Sequence, residues 1–283
     1  MYGKTLRCIY TKHKLVIFAK FFDTMKKSII IHNFSSIKDI KILLLLTLFF
    51  ISNLAFSQEN GIISYSVSHS WIKKMATCEY ISKAERERSA YVWGGREYVV
   101  NAELKFNENQ YRFEYKENNE GATYQWRKED YIIYRNRNNN EIFDIITLLN
   151  KQYVIQDSLV CQNWKIKNDM KEIAGHICMN ASFYDTVKGK EIVAWFALDL
   201  PIPIGPDRYC GLPGIILEIN EANDAIIYTA TNVLLSNEKI EIEKPTIKKS
   251  RKIINSEEYN KKIIDYINQC KKLQRPYFWG ISF

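Results

Sequence analysis

The polar and apolar positions of this chain change period several times, and each change marks an element. Gly61 to Ser68 alternates loosely and predicts a first strand. Over 71–90 the alternation stops. Trp71, Met75, Cys78 and Ser82 recur at helical spacing among Lys73, Lys74, Glu85, Arg86, Glu87 and Arg88, and Gly94-Gly95 follows, so one helix is expected there. At Glu97 the period falls to two. Tyr98, Val100, Ala102, Leu104 and Phe106 share one face, opposite Glu97, Asn101, Glu103 and Lys105. After a turn at 107–110, Tyr111, Phe113 and Tyr115 alternate with Arg112, Glu114 and Lys116. This predicts a hairpin with one wet face and one aromatic face. That aromatic face is either core or, if left uncovered, a cleft for an apolar ligand.

Further short strands are predicted at 131–134, 141–146, 153–156, 164–167, 176–183, 192–197, 215–219 and 226–233, with turns such as Asn138-Asn139-Asn140 and Lys188-Gly189-Lys190 between them. No βαβ alternation occurs, so the expected fold is mainly β: one curved antiparallel sheet, a meander that can bend into a half-open barrel. A helix follows at 256–274. Ser256 is its expected cap, Glu257 and Glu258 fill its first turn, and Lys271 and Lys272 fill its last, matching the helix dipole. Tyr259, Ile263, Ile267 and Cys270 form its apolar stripe. No linker or repeat divides 58–283, which predicts a single domain.

The N-terminus reads as a targeting segment. Ile42 to Phe56 is uncharged, Lys38 and Lys41 precede it, and Ala55-Phe56-Ser57 offers a cleavage site, the layout of a secretory signal peptide with cleavage near Ser57/Gln58. The run is short for a membrane span, which needs about 20 residues. No stable transmembrane span is expected after cleavage. Met25-Lys26-Lys27 is a more natural start than Met1. Removing 1–57 changes the charge balance, because nine basic and two acidic residues go with it. The rest of the 40 basic and 32 acidic residues then differ by one, which excludes a general electrostatic attraction to nucleic acid. Cys78, Cys161, Cys178, Cys210 and Cys270 remain, in a compartment where disulfides persist. Their number is odd, so at least one is free, and their pairing is left open.

The most unusual stretch runs from Ala194 to Glu218, a strand, a rigid loop and a strand. Pro201, Pro203 and Pro206 fix φ, while Gly211 and Gly214 permit turns closed to other residues. It reads first as a structural corner and second as a lip beside a binding site, with Trp195, Tyr209, Leu212 and Pro213 as the contact candidates. Here the sequence resembles the GLPGLI proteins, also called the Porph_ging family. The motif is Gly205-Pro206 followed by Gly211-Leu212-Pro213-Gly214-Ile215-Ile216, with Ala194-Trp195, Ile202-Pro203 and Leu217-Glu218 around it. Asp157-Ser158-Leu159, Trp164-Lys165-Ile166, Asp169, Ile173-Ala174-Gly175-His176 and Cys178 extend the resemblance over roughly 61 to 235. Ile216 departs from the final Leu of the motif, and Cys161 has no expected counterpart. The resemblance implies a periplasmic or secreted protein and no known activity.

Chemistry beyond this is sparse. His176 and Cys178 share a strand face and could start a metal site, but a structural zinc site needs four ligands and no third is evident. A half-buried His beside a core Cys is the preferred reading. Cys210 lies next to Arg208, which would favour a thiolate, yet no hydrolase signature surrounds it. Paired carboxylates such as Glu129-Asp130 and Glu257-Glu258 sit in wet or helix-capping contexts. No phosphate loop, Gly-x-Ser-x-Gly or His-Glu-x-x-His occurs. The expected function is therefore non-catalytic and needs no cofactor: an envelope protein that binds an apolar small molecule or a protein partner. The alternative is a thiol or metal protein using Cys210, or His176 with Cys178.

Overall fold

The structure, a computed structural model, describes residues 60–93, 97–116, 131–247 and 251–281. The predicted leader, Gly94-Gly95 and Glu129-Asp130 lie outside these residues. Twelve strands are formed: β1 (Asn60–Ser70), β2 (Glu97–Phe106), β3 (Gln110–Tyr115), β4 (Ile132–Asn136), β5 (Glu141–Leu148), β6 (Lys151–Ser158), β7 (Lys165–Ile173), β8 (His176–Asp185), β9 (Lys190–Ala197), β10 (Ile216–Glu221), β11 (Ile226–Ser236) and β12 (Lys252–Ile254). They make one open sheet in the order β12-β6-β5-β4-β3-β2-β1-β11-β10-β9-β8-β7.

The mainly β fold and the strand positions agree with the alternation in the sequence, but the connectivity corrects the plain meander. β1 lies mid-sheet between β2 and β11, so the first strand joins two meandering halves. The sheet is also mixed, because β12 adds in parallel to β6. Three residues are too few to show a period, so β12 left no pattern to find.

Alternation has a direct packing consequence. Phe106, Tyr111 and Phe113, from the aromatic face of the predicted hairpin, are almost wholly buried, and Ile63, Tyr65 and Tyr228 join them. Phe113 meets Tyr65 and Tyr228 with ring centroids 6.3 Å apart in each case. Each such side chain contributes about 1.5–3 kcal/mol by leaving water. The aromatic face is thus core. The reverse side of β4 to β6 carries a second, smaller cluster of Tyr134, Phe143, Ile145 and Val154, closed by Ile240 and Ile242 from the segment after β11.

The helix expected over 71–90 is two helices, α1 (Trp71–Ala76) and α2 (Lys83–Trp93). Thr77 ends the first by donating its hydroxyl to the Lys74 carbonyl at 2.7 Å, and Cys78 and Ile81 drop into the core between them. The last helix, α3 (Ser256–Lys272), buries Tyr259, Ile263, Ile267 and Cys270 as its stripe predicts. Its cap is Asn255, not Ser256. The Asn255 side chain accepts from the Glu258 amide at 2.8 Å, while the Ser256 amide donates to Asp157 of β6 at 3.1 Å. Asn255→Ala is expected to lower stability by about 1 kcal/mol, read as a shift in the urea midpoint; Ser256→Ala, which removes no cap, should shift it much less. No helix among the described residues is long and apolar enough to cross a membrane.

Candidate functional site

The Pro/Gly corner folds back on the sheet through its own backbone. The Ile215 amide donates to the Leu200 carbonyl and the Ile216 amide to the Ile204 carbonyl, each at 2.9 Å, which sews the outgoing strand to the incoming one. Close approach explains the motif glycines. A Cβ on Gly214 would lie 1.9 Å from the Ala197 carbonyl oxygen. Gly211 has φ +95° and presses against Cys161, where a Cβ would come within 2.6 Å of the Cys161 Cβ. Cys161 and Cys210 form a disulfide with Cα atoms 5.2 Å apart. Gln162 grips the same loop from both sides, accepting from the Cys210 amide and donating to the Arg208 carbonyl, both at 3.0 Å. Trp164 adds a bond from its indole N–H to the Cys210 carbonyl at 2.8 Å.

Held this way, the corner delivers polar side chains into the aromatic interior. The Tyr131 hydroxyl donates to Asp207 at 2.5 Å, and the Tyr209 hydroxyl donates to Glu221 at 2.7 Å. Lys188 stands 3.8 Å from the other Glu221 oxygen. Burial raises the Asp207 pKa, and it outweighs the opposing pull of Arg208 and of the Tyr131 hydrogen bond. A carboxyl held above its unfolded value contributes stability below the unfolded pKa and loses it as pH rises through the folded one. Asp207→Asn still accepts the Tyr131 hydrogen bond but never ionises. The variant is therefore expected to gain on the wild type as pH rises from acidic to neutral, measured as the difference in unfolding free energy across that range. Parallel curves would refute it.

A different set of residues meets on the opposite face of the sheet. Register places Asn180 of β8 beside Trp195 of β9, and Trp195 beside Glu218 of β10, in one row. Asn180 donates to Asp169 of β7 at 2.9 Å, extending the row to four strands. Lys171 of β7 reaches across to Glu218 at 2.6 Å, with its ammonium 4.3 Å from the centre of the Trp195 ring. Since β7 and β10 are three strands apart, roughly 14 Å on flat-sheet spacing, this face is concave. His176 and Cys178 stand in the same file as Asn180. His176 pairs with Asp199 at 2.7 Å. Cys178 is buried, and burial first, then the charge of Asp199, pushes its thiol up to about 11.

The structure therefore brings Trp195, His176 and Cys178 together and separates them from the corner. Tyr209 and Leu212 are buried on the core side, whereas Pro213 is exposed. Cys210 has no thiol, being half of the bridge. Among the described residues no group of three or more His, Cys, Asp or Glu side chains is placed to hold a metal ion. Asp169 and Glu218 stood out only as members of the quoted motifs, and Lys171 and Asn180 had no distinguishing signal beyond alternation.

By fold and site this is an open twelve-stranded β-sheet protein with a disulfide-pinned Pro/Gly corner and a concave Trp-centred outer face. Residues 184–218, which hold that corner and Trp195, match the family described as "Protein of unknown function (Porph_ging)". No curated protein matches the sequence. Two crystal structures of PNGF-II, in C2 and P21 space groups, are similar to it at 17% and 16% identity, each with a TM-score of 0.44 over 72% of this chain. The chain spans about a third of their length, 32% and 33%.

Proposed function

We propose that this chain is an exported, non-catalytic envelope protein of the GLPGLI type that holds a ligand or partner on the concave β7–β10 face. The Cys161–Cys210 bridge carries the reading. It clamps the most distinctive loop of the chain, and structural bonds of this kind form and persist mainly in oxidising compartments. The uncharged run at 42–56 supports export. The interior aromatic face is filled by its own side chains, and the outer face groups polar residues around the half-buried Trp195. The thiol or metal alternative is weakened by the bridged Cys210 and by a buried Cys178 whose raised pKa keeps it protonated near neutrality.

Expression of the whole chain in a Gram-negative host, followed by fractionation and peptide mapping with and without reductant, tests this. A mature N-terminus near Gln58 and a linked Cys161–Cys210 peptide are expected in the periplasmic fraction. Cytoplasmic retention with both thiols free to alkylate would overturn the proposal. Retained zinc or copper that disappears in Cys178→Ser would favour the alternative.

A further inference from the structure

We infer that the β7–β10 face is a saccharide-binding surface with Trp195 as its platform, an inference that rests on reading the chain as a binding protein. Four observations combine. Trp195 is half-buried and sits mid-row on a concave face, a ring held in place by the core beneath it. Asp169, Asn180 and Glu218 flank it along the row and supply acceptors on both sides. The Asn180 side chain is buried to 5% exposure, and its carbonyl oxygen has no hydrogen-bond partner among the described residues. Lys171, the group over the ring, is a flexible side chain at 36% exposure that can swing aside.

The charge pattern selects the ligand class. A cation would meet Lys171 and Lys167, which already pair with Glu218 and Glu191 on this face. An anion would meet Asp169, Glu191 and Glu218. An apolar ligand would strip water from these carboxylates and from Asn180 without replacing their hydrogen bonds. A neutral polyhydroxylated ring avoids all three penalties. Its C–H face lies on the indole, its hydroxyls donate to Asn180, Asp169 and Glu218, and Lys171 donates back to its oxygens. A row spanning four strands has the length of a short oligosaccharide rather than a single ring.

Saturation-transfer NMR of the purified protein with cellotriose, maltotriose and chitotriose, each at millimolar concentration, tests this. At least one should bind, and Trp195→Ala should weaken it by about tenfold or more, as loss of an aromatic anchor does. Tyr91→Ala, which removes an exposed ring on α2, should bind as the wild type does. If Trp195→Ala fails to fold, Glu218→Gln keeps the shape of the row and should weaken binding severalfold. Binding to none of the three, or wild-type binding by Trp195→Ala or by Glu218→Gln, would overturn the inference. So would a lysine tripeptide binding here in place of the sugars. Co-sedimentation with insoluble cellulose or chitin distinguishes a polymer from a free oligosaccharide, both within the class. A bridged periplasmic protein that ignores every sugar sinks this inference and leaves the export proposal standing, whereas reduced cytoplasmic protein sinks the latter.

Discussion

Gly214→Ala is expected to destabilise the protein by about 3 kcal/mol or more, enough to threaten folding. The added Cβ would lie 1.9 Å from the Ala197 carbonyl oxygen and 3.2 Å from that of Leu200, and both are backbone atoms that cannot rotate away. The same two residues anchor the corner, since the Leu200 carbonyl accepts from the Ile215 amide and the Ala197 amide donates to the Ile215 carbonyl. Relief would have to come from pulling the loop off the sheet, and the Asp207 and Tyr209 contacts would go with it. Gly175→Ala is the control. Gly175 has φ +83° but nothing within 4 Å of its missing Cβ, so its replacement costs only conformational strain, about 1 kcal/mol. Soluble yield and urea midpoints of the two variants should separate clearly; equal losses would mean that close approach does not select glycine at 214.

Replacing Cys161 and Cys210 together by serine is expected to remove about 2–4 kcal/mol, because the bridge closes a long loop and restricts the unfolded chain. The two residues are 49 positions apart in sequence. The wild type in reductant should melt with the double variant, and the oxidised wild type well above both. The native corner should survive, since Gln162 and Trp164 still hold it by three hydrogen bonds. A single melting curve for all three samples would show that the bridge adds nothing to stability.

Strand content was legible wherever one face was wet and the other dry. Tyr98 to Phe106 alternated because β2 packs one side on the core, and α3 showed its buried stripe for the same reason. The break at Thr77 was not legible, because Cys78 and Ile81 fit both a helix stripe and a buried turn. Asn255 lost its role to Ser256 in the sequence reading because both residues cap well, and only the position of Asp157 decides which one does. Trp195, Asp169 and Glu218 were legible as members of the spaced motifs, but Lys171 and Asn180 were not, and nothing showed that the five meet on one face.

The sequence by itself determined a mainly β chain, a rigid Pro/Gly corner and a closing amphipathic helix, all properties of local conformation and periodicity. The tertiary structure alone decided that β1 lies mid-sheet, that Cys161 joins Cys210, and that Asp169, Asn180, Trp195 and Glu218 form one row. Those facts depend on strand order and register, which pair residues distant in sequence and leave no trace in the period of either strand.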